Sequence, residues 1–307
     1  MKNKIHSISS IVPVYNSEKT IVELSNQLNA SLSQIFDEYE IIFVNDGSND
    51  KSWDILKQVE KNNSKFHCIN LNKNFGQHNA LLCGIRKAQY DLIVTIDDDL
   101  QNPPSEIPKL IQKINEGYDV VYGAPLKENH GIFRNIASIF TKMILRSIMG
   151  IENARNVSAF RCFKTELRDA FGHYKGSFVS IDVLLSWGTK NFGSVKVENH
   201  DRAIGESNYT IGSLITHAVN MITGFSVLPL KIATYIGFSF SIFGIAVLGF
   251  VITRFLISGS PVQGFSFLAS IIAIFSGAQL LSIGIIGEYL SRMHYRIMDK
   301  PQYFEKK

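Results

Sequence analysis

Leu92-Ile93-Val94-Thr95-Ile96-Asp97-Asp98-Asp99-Leu100-Gln101 is an apolar run that ends abruptly in adjacent carboxylates. A short apolar segment closed by polar residues is the pattern of a buried strand with an exposed tip. Towards the N-terminus the same pattern recurs. Strand-like runs at 8–14, 39–44 and 66–71 alternate with helical patterns at 17–36, 52–62 and 78–88. The first two runs end in Pro13-Val14-Tyr15-Asn16 and in Asn45-Asp46-Gly47-Ser48. This alternation predicts an α/β domain with a mostly parallel, Rossmann-like sheet covered on both faces. Such sheets bind ligands beyond the carboxyl ends of their strands. Asn16, Asp46 and Asp97–Asp99 are therefore expected on one rim.

Adjacent carboxylates repel one another unless a cation offsets them. If the extended backbone continues through the triplet, Asp97 and Asp99 share one side. Hard carboxylate oxygens suit Mg2+ or Mn2+, which keeps several waters and binds substrate diphosphates. Gln101 is spaced to complete the shell. The bland alternative is a solvated acidic turn, or an N-cap for the helix expected near 103–114. The position at a strand tip, among other polar clusters, favours the metal.

The last quarter of the chain differs in kind. Residues 232–257 and 265–290 are mostly apolar, and each meets the roughly 20 residues needed to cross a bilayer. The connector 258–264 carries no charge, whereas Lys231 precedes the pair and Arg292, Arg296, Lys300, Lys306 and Lys307 follow it. Basic residues collect on the cytoplasmic side, so the expectation is a transmembrane hairpin with the head and both termini in the cytoplasm. Buried core helices are the alternative, but core helices of this length usually keep a polar face. Arg254 can snorkel at the outer end, and Glu288 can pair with Arg292 one turn on. Helical patterns at 132–149 and 211–228 read as amphipathic helices lying in the membrane interface, with packing on the head's own sheet as the alternative. The expected division is a catalytic head over 1–210, a juxtamembrane helix over 211–230, two spans over 231–290 and a cytoplasmic tail over 291–307.

The net charge of +4 on 307 residues suits an anionic membrane surface, and no basic stripe or motif points to nucleic acid. The 3 cysteines lack metal-ligand spacing and fit a reducing compartment. The first residues do not form a cleavable signal peptide. Gly237, Gly244, Gly249, Gly277 and Gly284 in the spans permit close helix contacts between copies.

Taken together, Pro13-Val14-Tyr15-Asn16 with Glu18, Val44-Asn45-Asp46-Gly47-Ser48 and Asp97-Asp98-Asp99-Leu100-Gln101 resemble the nucleotide-sugar signature of family 2 glycosyltransferases with a GT-A head. Leu71-Asn72-Lys73-Asn74-Phe75-Gly76-Gln77-His78, Gln101-Asn102-Pro103-Pro104, Gly205-Glu206-Ser207-Asn208-Tyr209 and Gly287-Glu288-Tyr289-Leu290 narrow the resemblance to the polyprenyl-phosphate glycosyltransferases. Within these, the sequence is most similar to the formamido-arabinose and O-antigen glucosyl branches. The resemblance spans nearly the whole chain.

That resemblance implies inverting transfer of one sugar from a UDP-sugar to undecaprenyl phosphate, at the inner membrane of a bacterium and for cell-envelope or lipopolysaccharide modification. It implies that Pro13, Tyr15, Glu18 and Asp46 hold uracil and ribose, with Asp97 and Asp98 completing the donor set. Asp97, Asp99 and Gln101 would hold Mg2+ or Mn2+. Arg134 with Ser138, Arg161 and Arg202 would bind the acceptor phosphate, since guanidinium matches phosphate bidentately. Homo-oligomers, tetramers in relatives, are also implied. Many relatives carry a carboxylate shortly before the pair seen here as Phe160-Arg161, but residues 153–159 contain none. Either Asp182 supplies a base, or none is needed because a phosphate monoester, with its second pKa near 6, is already largely a dianion; the second reading is preferred. A non-catalytic membrane scaffold with a transferase-like head is the alternative outside enzymology. A polysaccharide synthase is disfavoured by the lack of a QxxRW motif.

Overall fold

The computed structural model describes residues 7–126, 156–176, 178–200, 222–258 and 265–306. Contacts divide the chain into two units, Met1–Ala218 with Lys300–Lys307, and Val219–Asp299. The expected interface helices at 132–149 and 211–228 lie outside the described residues, apart from the end of the second.

The head is built on a 7-stranded sheet of order β3-β2-β1-β4-β6-β5-β7. Its strands are β1 (Ser7–Val14), β2 (Glu38–Asn45), β3 (Phe66–Asn70), β4 (Leu92–Thr95), β5 (Val120–Pro125), β6 (Arg161–Lys164) and β7 (Phe192–Val197). β1 pairs in parallel with β2 and β4, and β2 with β3. β6 runs antiparallel between β4 and β5, while β7 is parallel to β5. Every residue of β1 and β4 is buried, as expected for strands covered on both faces. The cover comes from α1 (Ile21–Ser33), α2 (Ser52–Asn62), α3 (Gln77–Lys87), α4 (Ile107–Asn115) and α5 (Ile181–Gly188). In α1 the buried side chains are Ile21, Leu24, Ser25, Leu28 and Leu32, and in α4 they are Ile107, Leu110, Ile111 and Ile114. Both sets follow the helical spacing that turns one apolar stripe inward.

The parallel strands start and stop within about a residue of the sequence expectation. The first helix does not: it begins at Ile21, four residues after the expected 17. Residues 17–20 form a turn instead, in which the Thr20 and Ile21 amides donate to the Ser17 carbonyl at 3.1 and 3.3 Å. Ser17 and Glu18 are held at the rim by partners across the sheet, and those bonds override helix propensity.

The second unit contains two long helices, α6 (Leu228–Ser258) and α7 (Phe265–Ile297). Both are long and apolar enough to cross a membrane. Tyr235, Phe238, Ile245, Leu248 and Leu281 are exposed, which separates these helices from core helices of a soluble protein. They run antiparallel: Phe240 meets Phe275 edge-on at 5.3 Å between centroids, and the Tyr289 hydroxyl donates to the Ser226 carbonyl. Glu288 accepts from Arg292 at 2.7 Å, the pairing expected one turn apart. Beyond this unit, residues 300–306 belong to the head. There Glu305 forms an antiparallel bridge to Leu71.

Candidate active site

The parallel strands end side by side, with Val14 opposite Asn45 and Asn45 opposite Asn70. The β1 and β2 ends are tied together. The Asp46 amide donates to the Val14 carbonyl at 2.8 Å, and the Asn16 amide to Ser48 Oγ at 3.0 Å. Asn16 adopts a left-handed φ of 54°, which asparagine tolerates, and its side chain accepts from the Asn49 amide at 2.8 Å. Glu18 accepts from the Lys51 amide at 3.1 Å, and its own amide donates to Asp50 at 3.1 Å. Tyr15 is exposed beside this lattice, and Pro13 is the penultimate residue of β1, opposite Val44.

Asp46 is buried beneath the rim. One of its oxygens accepts from the Phe75 amide at 2.7 Å and the other from the Gly76 amide at 2.8 Å. Burial raises its pKa, and these two amides pull part of that rise back. Asp46 thus closes the loop 72–76 over the sheet edge. Gly47, at φ +66°, makes that closure possible: a Cβ there would lie 2.3 Å from the Lys73 carbonyl carbon.

The acidic triplet departs from the extended geometry expected of it. β4 stops at Thr95, and residues 98–100 turn, with Leu100 at φ 61°. Asp99 closes the turn by accepting from the Gln101 amide at 3.1 Å, an aspartate turn. Asp98 points back to β1, accepting from the Tyr15 amide at 3.1 Å and from the Ser17 hydroxyl. Burial raises its pKa; the Ser17 and Tyr15 bonds oppose that and the Asp99 charge adds to it. Asp97 accepts from Gln77 Nε2 at 2.6 Å, at the start of α3. The three carboxylates serve three different neighbours, and the rim of β1, β2, β4 and α3 is one hydrogen-bonded constellation.

Residues 9–182 match the model of glycosyl transferase family 2. The chain belongs to that family. Its relatives extend over the whole length. The undecaprenyl-phosphate 4-deoxy-4-formamido-L-arabinose transferase of Enterobacter sp. (strain 638) is 33% identical over 310 residues, covering 98% of this chain and 93% of its own. The protein of the same name from Pseudomonas syringae pv. syringae (strain B728a) is 31% identical, covering 99% of this chain and 91% of its own. Among solved structures, glucosyl-3-phosphoglycerate synthase of M. tuberculosis superposes with a TM-score of 0.52 at 16% identity, over 71% of this chain and 79% of that one. Its complex with Mn2+, UDP and glucosyl-3-phosphoglycerate gives a TM-score of 0.53, over 71% and 78%. At that identity the likeness is one of fold. The head of this glycosyltransferase is a GT-A fold, and the chain is an enzyme rather than a scaffold.

The glycosyltransferase keeps a second polar cluster just below the rim. Arg161, fully buried at the start of β6, donates Nε to Thr95 Oγ1 at 3.1 Å and a terminal nitrogen to Asp182 Oδ1. The Tyr122 hydroxyl donates to the same Asp182 oxygen at 3.0 Å. Arg161, expected to bind acceptor phosphate, and Asp182, the alternative to a base-free reaction, are therefore each other's partners. Arg134, Ser138 and Arg202 lie outside the described residues. The segments that carry them leave the same rim, after β5 at residue 126 and after β7 at residue 200, where the His200 amide donates to the Gln101 carbonyl at 2.8 Å.

The residues that sequence reasoning missed are Ser17, Gln77 and the Phe75 and Gly76 amides. All but Ser17 fall in the stretch Leu71–His78, quoted for its resemblance without a role. The signal available was its glycine, which sits just before a helix start as a backbone donor would.

Proposed function

We propose that this glycosyltransferase moves one sugar, with inversion, from a UDP-sugar to undecaprenyl phosphate at the cytoplasmic face of a bacterial inner membrane. The observation that carries it is the joining, in one chain matched end to end by undecaprenyl-phosphate transferases, of a polar sheet rim with two membrane-length apolar helices. The relatives' names make the 4-deoxy-4-formamido-L-arabinose donor the first to test.

In this reading Pro13, Tyr15, Glu18 and Asp46 cradle the uridine. The bonds that fix Asp46 and Asp98 preorganise that cradle before donor arrives. Asp97, Asp99 and Gln101 offer oxygen donors of the hard type that Mg2+ or Mn2+ takes. Among the described residues no three His, Cys, Asp or Glu side chains gather into a metal site. When bound, such an ion neutralises charge on the departing diphosphate. Arg134 with Ser138, and Arg202, hold the acceptor phosphate, whose dianion attacks without a protein base. Arg161 and Asp182 position β6 and α5 rather than touch substrate, since their charges are already spent on one another. Gly237, Gly244, Gly249, Gly277 and Gly284 would permit close helix contacts in a homo-oligomer.

The test is purified full-length enzyme given undecaprenyl phosphate and a panel of UDP-sugars, with mass measurement of the lipid product. A sugar-phosphate lipid formed in Mg2+ or Mn2+ and lost with EDTA supports the reading. Turnover with water-soluble acceptors alone would overturn it.

A further inference from the structure

The seven described residues after the membrane unit return to the head and cover an edge of its sheet. β3 is the outermost strand on its side, and an uncovered strand edge leaves backbone donors and acceptors unpaired. Here the Lys306 amide donates to the Asn70 carbonyl at 2.7 Å, and the Asn72 amide to the Phe304 carbonyl at 2.9 Å. Glu305, between them, reaches Lys87 Nζ at 3.2 Å and accepts from Cys83 Sγ at 3.9 Å, both on α3. The Arg86 guanidinium stands over the Tyr303 ring at 5.6 Å, while also donating to the Gly172 and Tyr174 carbonyls at 2.9 and 2.7 Å. Gln302 donates to the Gly176 carbonyl at 3.1 Å. No one of these contacts is strong, but apart from the one to Gly176 they converge on two places: residues 70–72, and the C-terminal half of α3.

Those two places bracket the loop that closes over Asp46. Residue 72 leads directly into 73–76, whose Phe75 and Gly76 amides hold the Asp46 carboxylate. Gln77, which follows, holds Asp97. On the other side the Leu71 amide is fixed to the Asn45 carbonyl at 2.9 Å, one residue before Asp46. The loop is thus anchored by β2 on one side and by the C-terminal segment on the other.

We infer that residues 300–306 form a positioning strap for donor binding, with Glu305 as its anchor, setting the loop 72–76 against Asp46 and so the affinity for the donor's nucleoside diphosphate. The inference rests on the proposed UDP-sugar reading for the identity of that nucleotide. The strap touches no reacting atom, so it acts on donor affinity and leaves the transfer step alone. It also gives the segment after the second apolar helix a part in donor binding that its length and charge do not announce.

Cys83 reports docking independently of activity, because it lies buried beside Glu305 and its thiol is pushed up to about 12, chiefly by burial and further by the Glu305 charge. The experiment compares the intact chain in detergent, a chain ended after Asp299, Glu305→Lys and Glu305→Asp. Labelling of Cys83 by N-ethylmaleimide is mapped by mass spectrometry, UDP affinity is measured by calorimetry with Mn2+ present, and KM and kcat are measured for the UDP-sugar. The shortened chain is expected to label at least tenfold faster. Its Kd for UDP and its donor KM should rise five- to tenfold together, with kcat and acceptor KM within twofold. Glu305→Lys should show the same split at two- to threefold, also if the shortened chain does not fold, and Glu305→Asp should restore most of the affinity. Faster Cys83 labelling with unchanged UDP affinity overturns the inference, as does Cys83 labelling indifferent to the strap. If the intact chain binds no UDP while Cys83 stays protected, the donor reading fails and takes this inference with it, whereas UDP binding insensitive to the strap removes this inference alone.

Discussion

Asp182 Oδ1 accepts the Tyr122 hydroxyl at 3.0 Å in the interior of the head, on the oxygen that Arg161 also engages. A buried charge that loses its partner is left uncompensated, at a cost of about 3–5 kcal/mol. Asp182→Asn and Arg161→Met are therefore expected to lower stability by about that much. Tyr122→Phe, which leaves the ion pair intact, should cost about 1 kcal/mol. Chemical denaturation of the three variants checks this. If Asp182→Asn unfolds like the parent but loses several orders of magnitude in rate, Asp182 is a base after all.

Asp46→Asn puts an NH2 group against one of two backbone donors that both need an acceptor. Leaving a buried amide unsatisfied costs about 1–3 kcal/mol. The expected result is a donor KM raised roughly tenfold or more, the factor that 1.4 kcal/mol represents, with acceptor KM little changed. Steady-state UDP release at varied donor and acceptor gives the two constants.

Gly47 tolerates no side chain, because its φ is positive and a Cβ would meet the Lys73 backbone at 2.3 Å. Neither constraint yields by rotating a side chain. Gly47→Ala is expected to shift the loop 72–76, lowering the melting temperature and weakening UDP binding together. Retention of parental UDP affinity would show that the loop is not part of the donor site.

Asp119, just before β5, ties β6 to the end of α5, accepting from Lys164 Nζ at 2.6 Å and from Thr189 Oγ1 at 2.7 Å. Its burial works to raise its pKa, but the bonds from Lys164 and Thr189 outweigh that and hold the carboxyl below 3.8. A depressed folded pKa contributes stability above the unfolded value, and that contribution is lost as pH falls through the folded one. Melting temperature should thus fall more steeply for the parent than for Asp119→Asn between about pH 5 and pH 3. The pair is partly exposed, so the difference should be under about 1 kcal/mol.

The parallel half of the sheet was legible because its strands are buried on both faces and read as apolar runs. The rim was legible because those runs end in Asn16, Asp46 and Asp97. The internal geometry of the triplet was not, since alternation holds only while the backbone stays extended, and the turn at Asp99 breaks it four residues beyond the end of β4. The pairing of Arg161 with Asp182 was not legible for a related reason. Spacing shows that both carry charge near a strand or helix start, but not that β6 runs antiparallel and brings them together. The strap escaped notice because Lys300–Lys306 is short, polar and without periodicity, and its pairing depends on an edge set by residues more than two hundred positions earlier.

The reversed direction of β6 has an evolutionary corollary. Because Arg161 sits opposite both Thr95 and Tyr122, the excursion between β5 and β6 begins and finishes at the polar rim of the sheet, and the chain leaving β7 sets out from there too. In the proposed reading, insertions or exchanges in these excursions would change the acceptor contacts while the nucleotide half, built from β1 to β4, stays as it is. Under that reading, new acceptors are open to the scaffold by loop replacement alone.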